Sequence, residues 1–259
     1  MTEIEIEQAV ADTVADTEIA ADQGDRWTFM AVLPESSFIH TVHSGKRTLE
    51  RTLEEAQLFL EKIKNKSDGQ APFFHSDGWF YTQALTDTYC SYQTVPYSGR
   101  GRPCNPIQIV DNQLLYGQVI KERNSKGKIE KVSTRILLGD ESKILLILND
   151  SSRSKTINTD FVESRNGKFR KDDARLIRKT LCFSKKACFH DAHIRFLAQV
   201  FNYTRTVNAL KISINPDAKK FQQKFKHQTP AMAEKIIDKI MSLKELLFIR
   251  PQIVKISIT

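Results

Sequence analysis

Residues 71–79 read Ala-Pro-Phe-Phe-His-Ser-Asp-Gly-Trp, and this stretch decides how the rest of the chain is interpreted. A short apolar run that ends in Ser-Asp-Gly predicts a buried strand with Asp77 at its C-terminal tip. Ligands of open α/β sheets gather outside the carboxyl ends of the strands, so an acid at such a tip is well placed to reach a metal ion. Taken alone, Ser-Asp-Gly is also a common turn tripeptide, and an ordinary turn is then the simpler interpretation of Asp77.

Patterns on either side of this strand predict alternating strands and helices. Residues 26–33 and 38–43 are apolar or alternating and flank Pro34-Glu35-Ser36-Ser37, which predicts a hairpin. Residues 3–8 (Glu-Ile-Glu-Ile-Glu-Gln) alternate at period two, as a half-buried strand does. Helical spacing and end signals predict helices at residues 49–63, 79–88, 158–178, 192–203 and 229–247, with Thr229 as the N-cap of the last.

The order of these elements favours an α/β fold with a mixed sheet and helices on both faces, which is the ribonuclease H-like arrangement. Residues 1–89 would form the first part of this core, and residues 158–207 would supply its later helices. Between them, residues 90–157 are punctuated by Pro and Gly and carry three apolar runs (107–110, 114–120 and 144–148) that suit strands or short buried pieces. We interpret residues 90–157 as a β-rich insertion and residues 208–259 as a C-terminal helical extension.

Charge is distributed unevenly along the chain, whose formal net charge is +8. The first 25 residues contain eight acids, and the first basic residue is Arg26. From Arg165 to Lys186 there are nine basic residues against two acids, which is typical of a surface that binds a phosphate backbone. A solvated helix face is the alternative interpretation of this basic segment.

Other features narrow the class of protein. No apolar run is long enough to span a bilayer, and the acidic N-terminus does not resemble a secretory signal, so we expect a soluble, cytoplasmic protein. The four cysteines include no CxxC pair, which favours reduced thiols. His190 and His193 lie near Cys182 and Cys188, but their spacing fits no common structural zinc site.

Three motifs together resemble the DDE transposases of the first insertion-sequence family. They are Gly-Asp-Arg-Trp-Thr at 24–28, Ser-Asp-Gly-Trp at 76–79 with Tyr81, and NTDFVESRNGKFRKDDARLIRKTLCFSK at 158–185. The third motif is the most specific, because it combines a Glu, Arg-Asn two residues later, a basic helix and Arg-Lys-Thr before Phe-Ser-Lys. The resemblance covers roughly residues 24–204, apart from the middle stretch of the chain.

The resemblance implies a triad of acids with Asp77 as the second member and Glu163 as the third. The first acid of the family is an Asp within the first strand, and here Glu7 is the best positional match, ahead of Asp22 and Asp25. Carboxylate oxygens are the ligands that Mg²⁺ or Mn²⁺ prefers, and two such ions can stabilise the attacking and leaving oxygens of a displacement at phosphorus. Glu163 could also be an ordinary surface carboxylate, and Glu7 part of a solvated acidic edge.

The resemblance further implies double-stranded DNA as the partner, as element ends and as target, with the protein forming a homo-oligomer on DNA and not associating with a membrane. The residues expected to hold phosphates are Arg165, Asn166, Lys168, Arg170, Arg175, Arg178, Lys179 and Lys185. Because Glu7 departs from the family's Asp, a catalytically inactive remnant that acts as a DNA-binding protein is the main alternative. A nuclease of the same architecture is a third possibility.

Overall fold

The computed structural model describes residues 26–46, 49–78, 81–97, 99, 102, 105–177, 181–182, 184–216 and 223–248. The strand expected at residues 3–8, and with it Glu7, lies outside the described residues, as do Arg178 and Lys179. Strands and helices are mixed along the chain in an α/β fold. The elements are β1 (Arg26–Val32), β2 (Ile39–Lys46), α1 (Leu49–Lys66), β3 (Phe74–Asp77), α2 (Tyr81–Thr88), β4 (Cys90–Gln93), β5 (Ile107–Val110), β6 (Tyr116–Arg123), β7 (Ile129–Leu138), α3 (Glu141–Asp150), α4 (Asp160–Asp172), α5 (Ala187–Thr204), β8 (Ile212–Ser213), β9 (Phe225–Lys226), α6 (Pro230–Ala233) and α7 (Leu243–Phe248).

The predicted hairpin is present, and helices cover both of its faces. β1 and β2 pair antiparallel, and successive residues of β1 point to opposite sides. Phe29 packs with Phe59 and Leu60 of α1 in one apolar cluster. Met30, the next residue, packs with Phe169 of α4 and Phe201 of α5 in another. The packing of these side chains buries apolar surface on both faces of the hairpin. This burial is the main stabilising contribution to this part of the fold.

A mixed three-stranded sheet carries the end of the predicted Asp77 strand. β3 pairs parallel with β6 in a register that sets Phe74 opposite Tyr116 and Asp77 opposite Val119. β6 pairs antiparallel with β7 on its other side. Residues 90–157, interpreted from the sequence as an insertion, therefore supply the strand that lies next to Asp77. They also contribute to the hydrophobic core, because Tyr116 and Leu114 are buried against α1 and α2.

Several boundaries differ from those expected from the sequence. The apolar run 144–148 lies in helix α3, because Asp140 accepts a hydrogen bond from the Ser142 backbone N–H as an N-cap and Ile144 is buried. The predicted last helix is interrupted: Thr229 caps α6 as expected, but Lys235 takes the left-handed conformation with φ of 59° and the chain becomes helical again only at α7. Short apolar runs do not distinguish a strand from a buried helix by period alone, which explains the first difference.

None of the helices within the described ranges combines the length and the apolar character that crossing a bilayer would require.

Candidate functional site

Asp77 and Glu163 lie within electrostatic reach of each other, although 86 positions separate them in the sequence. Asp77 ends β3, and Glu163 lies in the first turn of α4. Partial burial raises the pKa of the Asp77 carboxyl, and the negative charge of Glu163 raises it further, whereas the Lys121 ammonium acts in the opposite direction. The fold thus brings the two acids that the resemblance assigns to the triad within electrostatic reach of each other.

Lys121 of β6 interacts electrostatically with both acids of this pair. Its Nζ forms an ion pair with Glu163 Oε1 and lies 3.3 Å from Thr159 Oγ1. Thr159 Oγ1 in turn donates a hydrogen bond of 2.7 Å to Glu163 Oε1. The hydrogen bond from Lys121, followed by that from Thr159, lowers the pKa of Glu163, so its carboxylate is ionised and oriented.

A partly buried histidine links β3 to the segment that precedes α4. His75 Nδ1 lies 2.6 Å from the backbone carbonyl oxygen of Asn158, and because a carbonyl only accepts, Nδ1 is the donor. Burial lowers the pKa of His75, which favours the neutral ring. Asn158 Oδ1 accepts from the Asp160 backbone N–H at the start of α4, so the same residue also shapes the beginning of the helix that carries Glu163.

A network of hydrogen bonds among polar side chains supports the end of β3 on the face of the sheet opposite to the Asp77 side chain. Arg135 donates two hydrogen bonds, of 3.1 and 2.8 Å, to Gln118 Oε1, and Gln118 Nε2 donates to the Tyr116 hydroxyl at 2.8 Å. The Tyr116 hydroxyl and Ser76 Oγ are 2.8 Å apart, and Ser76 Oγ donates to the Asp77 carbonyl oxygen at 2.7 Å. Gln118 and Tyr116 are buried, so this network fixes the backbone from which the Asp77 side chain projects.

These supporting residues were missed by sequence reasoning. Tyr116, Gln118, Lys121 and Arg135 fall in the stretch that resembles nothing in the family, and their partners are far away in the chain. One signal was present for this network: polar Gln118 interrupts the otherwise apolar run of residues 114–120. Buried polar groups need partners, so such interruptions indicate a built polar site.

The donor chemistry of the acid pair fits a divalent cation. Asp77 and Glu163 offer carboxylate oxygens, which Mg²⁺ and Mn²⁺ prefer, and both carboxylates face a cation already, that of Lys121. Within the part of the chain that the structure describes, no three His, Cys, Asp or Glu side chains form a group that could hold a metal ion. The third expected ligand, Glu7, is not among the described residues, so the pair supplies two of the three predicted donors.

The basic residues of α4 divide between its two faces. Lys168 and Arg170 are exposed, Asn166 is partly buried, and Glu163, Gly167 and Arg170 follow one another along the exposed side of the helix. Arg165 differs from expectation, because its side chain is only 9% exposed and its guanidinium stacks 4.5 Å from the centroid of the Phe201 ring. Arg165 therefore packs in the interior rather than at a phosphate-binding surface.

Two more of the predicted phosphate-binding residues, Arg175 and Lys185, line a surface cavity of about 850 Å³ with Lys186 and Phe189. Arg175 and Lys185 are both exposed. His193, a member of the alternative zinc group, instead lies with its Nε2 2.5 Å from Asp173 Oδ2. Basic side chains thus form part of the lining of this cavity.

Comparisons with protein-family models, with curated proteins and with solved structures found no match to this chain. Function therefore has to be inferred from the geometry around Asp77 and Glu163.

Proposed function

We propose that the chain is the catalytic domain of a DDE-type DNA transposase, which cleaves phosphodiester bonds and transfers strands at the ends of an insertion sequence. The single observation that carries this proposal is that Lys121, two residues beyond the Val119 that lies opposite Asp77, forms an ion pair with Glu163 in the first turn of α4, so the two acids lie on either side of one cation. The sequence resemblance assigned these two acids to one triad, and the fold brings them together.

The arrangement of the elements supports a ribonuclease H-like core. The hairpin is covered on both faces, and β3 and β6 run parallel, as expected when acids at strand ends form a site. In this core, Glu7 of the first predicted strand would complete the triad. We include in the proposal a cytoplasmic location and a homo-oligomer assembled on double-stranded DNA.

The residues near the acid pair would have separate roles in binding the metal ions and the DNA. Asp77 and Glu163 would hold two Mg²⁺ or Mn²⁺ ions, which when bound stabilise the attacking and leaving oxygens at the phosphorus. Thr159 keeps one oxygen of Glu163 in a fixed orientation through its 2.7 Å hydrogen bond. Exposed cations of α4, Lys168 and Arg170, would neutralise DNA phosphates beside this site.

The proposal is tested by metal-dependent cleavage and strand transfer on DNA that carries the ends of the encoding element. We expect activity with Mg²⁺ or Mn²⁺ in the native chain and a loss of at least about a hundredfold in both Asp77→Asn and Glu163→Gln, since ligand loss removes the ion-binding charge. Asp150→Asn, at an exposed position of α3, is the matched control and should keep full activity. Equal activity of Asp77→Asn and the native chain would contradict the assignment.

The alternative is a catalytically inactive remnant that acts as a DNA-binding protein, and the Glu at position 7 favours it. One added methylene displaces a carboxylate by about 1 Å, and misplacement on that scale can cost about a hundredfold in rate. Glu7→Asp should therefore raise the activity of a working enzyme. If the native chain and Glu7→Asp both bind DNA but cleave none, the remnant becomes the better description.

A further inference from the structure

Lys121 stands where β6 continues past the end of β3. Asp77 is opposite Val119 in the parallel register, so Lys121, two residues further along β6, projects from the same face just beyond the strand end. Its Nζ pairs with Glu163 Oε1, and its charge also acts on Asp77. An ammonium group thus pairs with the Glu163 carboxylate and lies within electrostatic reach of the Asp77 carboxylate, where the proposed function needs a divalent cation.

The ion pair is accessible and can be exchanged at low cost. The Lys121 side chain is 22% exposed and that of Glu163 is 57% exposed. Ion pairs near the surface contribute only about 0–1 kcal/mol, so solvent or another ion can replace one partner. A divalent ion carries twice the charge of the ammonium and would repel it from the shared carboxylate.

Arg123 is a second cation near Glu163, but its guanidinium has another hydrogen-bond partner. Arg123 also lowers the pKa of Glu163 through its charge, but its Nη1 donates a 2.9 Å hydrogen bond to the Gly127 carbonyl oxygen. This bond ties the guanidinium to the turn between β6 and β7. Lys121, in contrast, directs its charged end to the Glu163 carboxylate itself.

We propose that Lys121 is a built-in counter-cation of the Asp77–Glu163 pair, which a divalent ion displaces and whose ammonium then binds a phosphate of the DNA. This inference rests on the proposed function. A metal ion that binds the DNA-free protein must break the Lys121–Glu163 ion pair, so this pair lowers the metal affinity when no DNA is bound. Bound DNA offers the ammonium another anion, so DNA and metal ion strengthen each other's binding.

The test is Mn²⁺ affinity, measured by electron paramagnetic resonance of free Mn²⁺, with the full chain and without any turnover. Lys121→Met keeps most of the apolar stem and removes the charge, and we expect it to bind Mn²⁺ about tenfold more tightly than the native chain. Lys131→Met is the matched control. Lys131 lies opposite Glu122 in the antiparallel register, so its side chain projects from the face of the sheet opposite to that of Lys121. This substitution should leave the affinity within about twofold of native, because the Lys131 charge is remote from the acids. Lys121→Arg keeps the charge and should also stay near native.

The second half of the proposal is tested by adding a DNA duplex that lacks the element ends. The native chain should then bind Mn²⁺ several-fold more tightly than without DNA, and Lys121→Met should lose most of this gain. Equal Mn²⁺ affinity of the native chain and Lys121→Met without DNA would overturn the counter-cation role while leaving the metal centre intact. A DNA-linked gain retained in Lys121→Met would overturn the phosphate contact. Absence of Mn²⁺ binding in every variant would overturn both this inference and the proposed function.

Discussion

His75 Nδ1 donates a 2.6 Å hydrogen bond to the backbone carbonyl oxygen of Asn158, and this bond joins the strand that ends in Asp77 to the segment that starts the Glu163 helix. The two residues do not belong to the acid pair, yet they set the distance between its members. The placement of the two carboxylates therefore depends on a neutral, partly buried imidazole.

Replacing His75 should lower both the stability of the fold and the affinity of the acid pair for a metal ion. We expect His75→Ala to lower the free energy of unfolding by about 0.5–1.5 kcal/mol, since it leaves a partly buried carbonyl oxygen without its donor. Mn²⁺ affinity should fall as well, because Glu163 is no longer fixed relative to Asp77. His75→Asn places an amide N–H near the position of Nδ1 and should retain most of both quantities. Urea denaturation and Mn²⁺ titration measure them, and identical results for the two variants would show that the hydrogen bond is unimportant.

Gly167→Ala should change stability and function in opposite directions. Gly167 lies within α4, one turn after Glu163 on the exposed side, and an added Cβ would meet nothing within 4 Å. Gly costs about 1 kcal/mol relative to Ala inside a helix, so the substitution should stabilise the fold by about 0.5–1 kcal/mol. If the DNA backbone approaches the helix at this point, the methyl group should still weaken DNA binding. Ser164→Ala, also exposed on α4, is the control, and unchanged DNA affinity of Gly167→Ala would exclude a close approach.

The two arginines Arg165 and Arg170 should behave differently in DNA binding. Arg170 is exposed, so Arg170→Ala should weaken DNA affinity at low salt and reduce the slope of log K against log salt by about one. Arg165 is buried over Phe201, and its Nε and Nη1 have no hydrogen-bond partner among the described residues. Arg165→Met should therefore leave the salt slope unchanged and keep the fold stable, because it removes a buried charge while retaining bulk. Fluorescence anisotropy over a salt series distinguishes the two, and a flattened slope in Arg165→Met would contradict the buried position.

Stability should fall at mildly acidic pH because of His40. Burial, followed by the charge of Lys66, lowers the pKa of His40 to about 4. In the unfolded chain the same group titrates near 6.5, so between these values the unfolded state binds a proton that the folded state does not. The free energy of unfolding should consequently decrease by about 2–3 kcal/mol as the pH falls from about 6.5 to about 4. His40→Asn should flatten this dependence, and a native-like slope in that variant would assign the effect to other groups.

The elements around Asp77 could be predicted because their signals are local. A hairpin turn, an apolar run that ends in Ser-Asp-Gly and the helical spacing after Leu49 each depend on neighbouring residues. The position of Lys121 could not be predicted, since it requires the parallel pairing of β3 with β6, and no local pattern fixes such a register. The burial of Arg165 was hidden for a similar reason: the sequence shows a basic helix but not which side of it packs on Phe201.

Asn202 of α5 makes two hydrogen bonds with Ile39 of β2, one from its Nδ2 to the carbonyl oxygen and one from the Ile39 N–H to its Oδ1, each 2.9 Å long. The two residues are 163 positions apart, and Asn202 is fully buried. The hairpin emerges from the ribosome well before the helix that closes its second face, because that helix comes more than 100 residues later in the chain. Long-range closure of this kind is slow, so the nascent chain keeps an uncovered apolar face on the hairpin until that helix has been made. Assembly of the acid pair, whose helix packs on the same face, has to wait for that moment, and shortened products should be inert and prone to aggregate.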